Sequence, residues 1–167
     1  PLELIPKGFI PIFELANHIQ VMKLFLKSRF AHKGISSVVR DEAKDMNALY
    51  LRIEKLMKEK SPYLDGDFTI KDLSHSVYHN RAYVSKTINK VAKVNFRNYI
   101  NTYRIRYAVE LIKKDPRVKI SEVASLSGFN SLPTFNSSFK DVMSMRPSEY
   151  LCELRARRPL FSSKTIE

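Results

Sequence analysis

Positive charge is concentrated in one acid-free stretch of this chain. Between Asp72 and Glu110 there are seven lysine and arginine residues and no acidic residue. They are Arg81, Lys86, Lys90, Lys93, Arg97, Arg104 and Arg106. A surface that is merely solvated usually alternates the two signs of charge, so this segregation indicates an anion-binding region. The net charge of +12 over 167 residues agrees, and it favours nucleic acid or an acidic membrane surface as the partner.

Residues suited to catalysis or metal binding are not arranged for either task. His75 and His79 are four residues apart, but no third ligand is in view, so we interpret both as surface side chains. The sequence contains no glycine-rich phosphate loop, no nucleophile elbow and no paired acids at catalytic spacing. We therefore expect no enzymatic activity, no cofactor and no metal site.

Two stretches, Thr69–Lys90 and Lys119–Lys140, repeat one order of features. Each begins with apolar residues at helical spacing, continues through a polar break, and ends in a second helix with an apolar pair four residues apart. The apolar positions are Ile70, Leu73 and Val77 with Val84 and Ile88, and then Ile120, Val123 and Leu126 with Phe135 and Phe139. This is the pattern of a helix-turn-helix, whose second helix enters the major groove of DNA. Two such units on a basic chain predict a reader of double-stranded DNA.

The elements around the repeats are also helical. Apolar periodicity predicts helices over residues 41–60, from Asn95 or Arg97 to Lys114, and over 148–155. Predicted caps are Thr69 with Asp72, Asn80 and Ser131, and Gly128 suits a left-handed helix end. No strand-like alternation of useful length is present, so the predicted fold is all-α, with two helix-turn-helix units joined by a long central helix and preceded by an N-terminal helical extension. That central helix would be roughly 27–30 Å long, against ~34 Å between successive major-groove segments on one face of DNA.

The N-terminal residues have a different character. The stretch from Ile12 to Phe30 is apolar on every face, which is typical of a helix that is buried, self-associating or in contact with a membrane. We favour burial or a homodimer through residues 9–30. Charged residues such as Glu14 and Lys23 interrupt the stretch, so we expect no stable membrane insertion. The single cysteine, Cys152, and the absence of a secretory signal pattern favour a cytoplasmic location.

Residues from about 61 to 155 resemble the DNA-binding domain of AraC/XylS-type bacterial transcription regulators. The matching segments are Ile70-Lys-Asp-Leu-Ser, Tyr83-Val-Ser-Lys, Asn95-Phe-Arg-Asn-Tyr-Ile, Arg104-Ile-Arg, Ile120-Ser-Glu-Val-Ala, Gly128-Phe-Asn, Phe135, Phe139-Lys and Pro147-Ser-Glu-Tyr. The resemblance implies seven helices, binding to an operator and recruitment of RNA polymerase, as in an activator. We accordingly expect an extension over residues 1–40 (an association region or sensor remnant), an AraC-type double helix-turn-helix domain over 41–156, and a disordered tail over 157–167.

Three positions depart from the family pattern. The family usually has glycine after each reading helix, where this chain has Lys93 and Ser144, so we expect those turns to be shifted or strained. An aromatic position of the family is Ile88 here. At Ser137 many relatives carry a basic residue that reads the groove, so the second unit is expected to supply phosphate contacts and thymine-methyl packing rather than strong base readout.

Helical phase and the family match together assign the DNA-facing residues. Those predicted to read bases are Arg81, Ala82, Ser85, Lys86 and Asn89 in the first unit, and Leu132, Pro133, Thr134, Asn136 and Ser137 in the second. Those predicted to contact phosphate are Asn80, Lys90, Lys93, Arg97, Ser131 and Lys140. Lys86 is the best candidate for the O6 and N7 atoms of a guanine. Arg104 and Arg106 stay ambiguous, because such residues often brace the central helix against a carboxylate.

Two other functions are compatible with some of these sequence features. The chain could be a helical interaction or membrane-peripheral module whose basic face binds anionic lipid or an acidic protein. RNA binding is a weaker option, because the aromatic residues fall at core positions rather than on an exposed platform. A DNA reader would keep its preference for a site at physiological salt, whereas a general polyanion binder would release any DNA as salt rises.

Overall fold

The computed structural model describes residues 37–157, and over that range the chain is helical without strands, as predicted. The helices are α1 (Ser37–Lys60), α2 (Ile70–Ser76), α3 (Arg81–Val91), α4 (Phe96–Lys114), α5 (Ile120–Leu126), α6 (Leu132–Met143) and α7 (Pro147–Arg157), with a 3-10 turn at Pro62–Leu64. Helix α1 begins before the predicted Asp41, and α7 extends beyond the predicted Arg155. The predicted association surface over residues 9–30 lies outside the described residues, as does nearly all of the predicted extension and tail.

Short polar side chains start the helices at the predicted residues. Thr69 and Asp72 form a reciprocal capping box at α2, and these hydrogen bonds, first of all the one from the Thr69 hydroxyl, lower the pKa of the exposed Asp72 carboxyl. Asn80 Oδ1 accepts a hydrogen bond from the Tyr83 amide at 2.7 Å. The same kind of cap forms at α4 and α6, from Asn95 and Ser131. Each cap satisfies an amide that the first helical turn leaves unpaired, which fixes where the helix begins.

The described chain divides into the first part of α1, ending at Ala48, and a compact unit that begins at Leu49. The compact unit contains two hydrophobic cores. The first core is built from Leu49, Ile53, Met57, Leu73, Val77, Val84, Ile88, Tyr99 and Ile100. The second is built from Ile105, Ala108, Val109, Ile112, Val123, Ala124, Phe129, Phe135, Phe139, Tyr150 and Leu151. Each core therefore holds one helix-turn-helix, α2–α3 or α5–α6, against part of α4.

Buried polar groups join α1 to α4 in the first core. The Tyr99 hydroxyl donates a hydrogen bond to Glu54 Oε1 at 2.8 Å, and both residues are buried. Burial raises the pKa of Tyr99, which favours the protonated hydroxyl that donates this hydrogen bond. The Tyr99 ring also lies edge-on to Tyr50 and Tyr103. This contact sets the position of the α1 residues from Leu49 onward against the first half of α4.

One predicted core residue is exposed. Leu126 of α5 is 52% exposed, although the sequence pattern placed it on the apolar face. The buried stripe of this short helix instead passes from the half-buried Ile120 through Val123 and Ala124 to Ser127, which is the spacing of a single helical face. The Ser127 hydroxyl is satisfied there, since it donates to the Val123 carbonyl at 2.6 Å. A polar residue thus occupies the core position because its own helix supplies the acceptor.

Among the described residues, left-handed backbone occurs at five positions, and only one of them is a glycine. Ser61 (φ +47°) follows α1, and the other four follow helices of the two units. Tyr78 (φ +55°) and Gly128 (φ +82°) occupy equivalent places, each in the turn between the two helices of its unit. Lys93 (φ +60°) and Ser144 (φ +58°) follow the two reading helices. Of the two outcomes predicted for these turns, strain occurs and a shift does not: the left-handed residue is at the predicted position, and its Cβ atom makes that conformation sterically unfavourable.

None of the helices between residues 37 and 157 combines the length and the apolar character needed to cross a bilayer.

Replacing Ser144 with glycine should raise the free energy of unfolding by about 1 kcal/mol, because glycine adopts the left-handed conformation without the Cβ penalty. The matched control is Ser137→Gly, in the middle of the same helix, which should lower it by about 0.5 kcal/mol. Urea denaturation followed by circular dichroism measures both. A loss of stability at both positions would contradict the strain assigned to Ser144.

Replacing Thr87 with valine should leave the free energy of unfolding unchanged or raise it by up to about 1 kcal/mol. Thr87 is fully buried, and its hydroxyl has no hydrogen-bond partner among the described residues. The same substitution at Thr102, whose hydroxyl donates to the Asn98 carbonyl at 2.8 Å, relieves no such cost and should give no gain. A clear loss of stability in Thr87→Val would show that its hydroxyl is paired.

Candidate nucleic-acid interface

Helix α3 separates its buried and exposed residues in the way a groove-reading helix requires. Val84, Thr87 and Ile88 are buried against the first core. The residues predicted to read bases lie on the other side: Arg81, Ala82, Lys86 and Asn89 are exposed, and Ser85 is half-buried at the edge. At 100° per residue, Ala82, Lys86 and Asn89 point most directly away from the core. The predicted reading residues of the first unit therefore share one accessible face.

Helix α6 presents the equivalent face of the second unit. Phe135, Ser138 and Phe139 are buried, in the places of Val84, Thr87 and Ile88 in α3. Leu132, Pro133, Asn136, Ser137 and Lys140 are exposed. Thr134 differs from the other predicted readers: it is half-buried, and its hydroxyl accepts a hydrogen bond from the Ser131 hydroxyl at 2.7 Å. Its place corresponds to Tyr83 of α3, which also lies at the edge of the core.

The two reading helices differ strongly in charge. Helix α3 carries three cations, Arg81, Lys86 and Lys90, and no acidic residue. Helix α6 carries one cation, Lys140, and one anion, Asp141. Since attraction to phosphate grows with net positive charge, α3 is the more favourable of the two helices for an anionic partner.

The residues predicted to contact phosphate are of two kinds, exposed cations and helix caps. Lys90, Lys93, Arg97 and Lys140 are exposed cations, and Lys93 and Arg97 flank the turn between α3 and α4. Asn80 and Ser131 are helix caps, and each uses a side-chain oxygen to accept from the helix. A phosphate would need the donor groups of these residues, the Asn80 amide or the Ser131 hydroxyl, rather than the capping acceptor. The Ser131 hydroxyl already donates to Thr134.

Arg104 connects α4 to the loop before α2. Its Nε donates to the Tyr63 carbonyl at 2.7 Å, and one of its terminal nitrogens donates to the Asp65 carbonyl at 2.8 Å. Only 9% of Arg104 is exposed, and burial lowers its pKa, although a guanidinium stays charged at neutral pH. From the sequence, it was open whether Arg104 and Arg106 brace the central helix by contacting a carboxylate. The Arg104 side chain donates instead to backbone carbonyls, and the Arg106 guanidinium lies over the Tyr103 ring, 5.5 Å from its centroid.

The same loop contacts the turn of the second helix-turn-helix. A Cβ atom on Gly128 would lie 2.6 Å from the Tyr63 carbonyl oxygen, so the two backbones meet directly. Asn130 Nδ2 donates to Asp67 Oδ1 at 3.1 Å. The Arg104 guanidinium also lies over the Phe129 ring, 5.6 Å from its centroid. Sequence analysis missed this contact because no local pattern relates residues that far apart in the chain. Gly128 was predicted only to end a helix in the left-handed conformation, which it does.

A further hydrogen bond fixes the second reading helix on α4. Asn101 Nδ2 donates to the buried Ser138 Oγ at 2.9 Å. Ser138 stands on the core face of α6, so the bond holds that face towards α4 and leaves Asn136 and Ser137 outward. The orientation of α6 is thereby determined by packing and by one polar contact.

Comparison with known proteins agrees with this geometry. Residues 73–152 match the family model described as a helix-turn-helix domain. The chain is 38% identical over 80 residues to the TCP pilus virulence regulatory protein of Vibrio cholerae, an alignment that covers 48% of this chain and 28% of that protein. The chain thus spans less than a third of the length of this relative.

Solved structures show the same arrangement of helices. ToxT from Vibrio cholerae is 34% identical with a TM-score of 0.52, over 60% of this chain and 36% of that one. The C-terminal domain of the response regulator yesN from Fusobacterium nucleatum is 28% identical with a TM-score of 0.52, over 63% of this chain and 98% of that one. The motifs, the two equivalent helix-turn-helix units and these matches agree. From residue 73 to 152 the chain is thus similar to the helix-turn-helix DNA-binding domains of AraC/XylS-type regulators, as its motifs predict.

Proposed function

We propose that this chain is a sequence-specific regulator of transcription that binds double-stranded DNA with α3 and α6 in adjacent segments of the major groove. The observation that carries the proposal is the pair of equivalent helices, each buried on one side and exposed on the other, within one compact unit. Helix α4, with 19 residues, would be about 28 Å long. That length is compatible with two reading helices about one turn of DNA apart.

We expect the two units to contribute differently to recognition of the DNA site. Helix α3 offers Arg81, Lys86 and Asn89, whose side chains match the hydrogen-bonding edges of guanine and adenine. Helix α6 offers Leu132, Pro133 and Ser137, which suit thymine-methyl packing and shape rather than bidentate hydrogen bonds. The first unit would thus specify the sequence, and the second would mainly position the protein on the duplex.

We also propose a cellular location and two protein partners for this regulator. A regulator of this kind would act in the cytoplasm, where the bacterial chromosome lies, and as an activator it would recruit RNA polymerase. Pairing of two copies through residues 9–30 would add a second DNA-binding unit to the complex. Molar mass measured over a concentration series, with and without residues 1–40, tests that pairing, and a monomer throughout would overturn it.

Selection of bound duplexes from a random DNA pool at about 150 mM salt tests the proposed function, because nonspecific phosphate binding is weakened there. Enrichment of a strong motif beside a weaker one, with centres about 10–10.5 base pairs apart, is expected. Lack of any enriched sequence would overturn the proposal. Equal capture of DNA and anionic vesicles, both lost as salt rises, would indicate instead a general polyanion-binding surface.

Replacing Lys86 with alanine should weaken binding to the selected site by about 1–3 kcal/mol and relax the preference at one base position. Fluorescence anisotropy on the selected duplex and on each single-base variant measures both effects. Lys114→Ala is the matched control, since Lys114 is an exposed cation at the end of α4 to which we assign no DNA contact. Equal losses on selected and random duplexes would contradict base reading by Lys86.

Replacing Lys93 with glutamine should weaken binding to every duplex by a similar factor. It should also reduce the slope of log K against log salt by about one, because one phosphate contact is lost. Titrations at several salt concentrations give the slope for the variant and for the unmodified chain. A changed base preference with an unchanged slope would contradict the phosphate assignment.

A further inference from the structure

The two helix-turn-helix units are connected by more than the central helix. The loop over residues 61–67 precedes the first unit, and it meets the turn over residues 128–130 of the second. Arg104, in the middle of α4, joins the two by donating to the loop carbonyls while its guanidinium covers the Phe129 ring. We call this set, the loop, Arg104 and the turn, the clasp.

Arg104 stands at the point where α4 passes from one core to the other. Ile100 is the last α4 residue buried in the first core, and Ile105 is the first buried in the second. A helix that alone joined two cores could still curve gently, so it would not by itself fix the angle between them. The clasp adds a second connection at that point, and its fork of two short hydrogen bonds fixes direction as well as distance.

The segments of the clasp lie too close together for a side-chain atom to be added at Gly128 or Gly66 without displacing a neighbour. Gly128 tolerates no Cβ atom because the Tyr63 and Leu64 carbonyl oxygens would lie 2.6 and 2.7 Å from it. A Cβ atom on Gly66 would lie 1.9 Å from Asn130 Oδ1. Contact this close leaves one relative position for the two units, because sliding or rotation in either direction produces a clash or breaks the Arg104 hydrogen bonds.

We propose that the clasp makes this protein selective for the spacing between the two halves of its DNA site. The inference rests on the proposed function and extends it from which bases are read to how far apart they must be. One added base pair moves the second half-site by about 3.4 Å and rotates it by about 34–36° around the duplex. A rigid pair of reading helices cannot follow that displacement, whereas a pair joined only by α4 can.

The test uses the selected duplex and derivatives in which one base pair is added or removed between the half-sites. The unmodified chain should lose about tenfold or more in affinity for either derivative, comparable to a mismatched base pair. Two variants should flatten this profile to a loss of about threefold or less. Arg104→Lys keeps the charge but not the two-pronged contact, and Gly66→Ala forces the Asn130 side chain away from Asp67.

Val109→Ala is the matched control, because it weakens the second core from the same helix and Val109 is not a member of the clasp. It should lower stability yet keep the spacing profile of the unmodified chain. Gly66→Ala displaces only one flexible side chain, so it reports on the clasp even if Arg104→Lys unfolds. Specific binding with an unchanged spacing profile in Gly66→Ala would overturn the clasp alone. A lack of specific binding in the unmodified chain would overturn the proposed function with it.

Discussion

Helix α4 is buried in two hydrophobic cores at once, and the rest of the compact unit depends on that constraint. Tyr99 and Ile100 pack into the first core, whereas Ile105 and Ala108 pack into the second. Each helix-turn-helix is too short to bury its apolar residues without α4, since α2 and α5 have seven residues each. Helix α4 therefore both separates the two units and completes their cores. The stability of the units and the distance between them depend on the same helix.

The reading helices show how such a scaffold carries unequal surfaces. Helices α3 and α6 share buried positions, caps and left-handed ends, yet one is cationic and the other carries no net charge. At the buried positions the residue type is determined by packing, and packing is the same in both units. At the exposed positions it is determined by the binding partner. The difference between the two exposed faces is consistent with one unit that reads bases and another that positions the protein. Lys93 and Ser144, the strained positions, each lie in the short connection between a reading helix and the next helix, α4 or α7.

Features set by neighbouring residues were predictable from the sequence. The caps at Thr69, Asn80 and Ser131 and the outward face of α3 all follow from residue type and helical period. Leu126 was misplaced because apolar character alone does not say which side of a short helix meets the core. The contacts of Arg104 and Gly66 were not predictable, because the segments that meet there are brought together by the fold rather than by sequence proximity.

Hydroxyl-radical footprinting of the selected duplex tests most directly the central claim that one compact unit places two helices on the same face of DNA. We expect two protected patches of backbone on one face, with centres about 10–10.5 base pairs apart, at a protein concentration where a single copy is bound. A single protected patch, or two patches on opposite faces of the duplex, would contradict it.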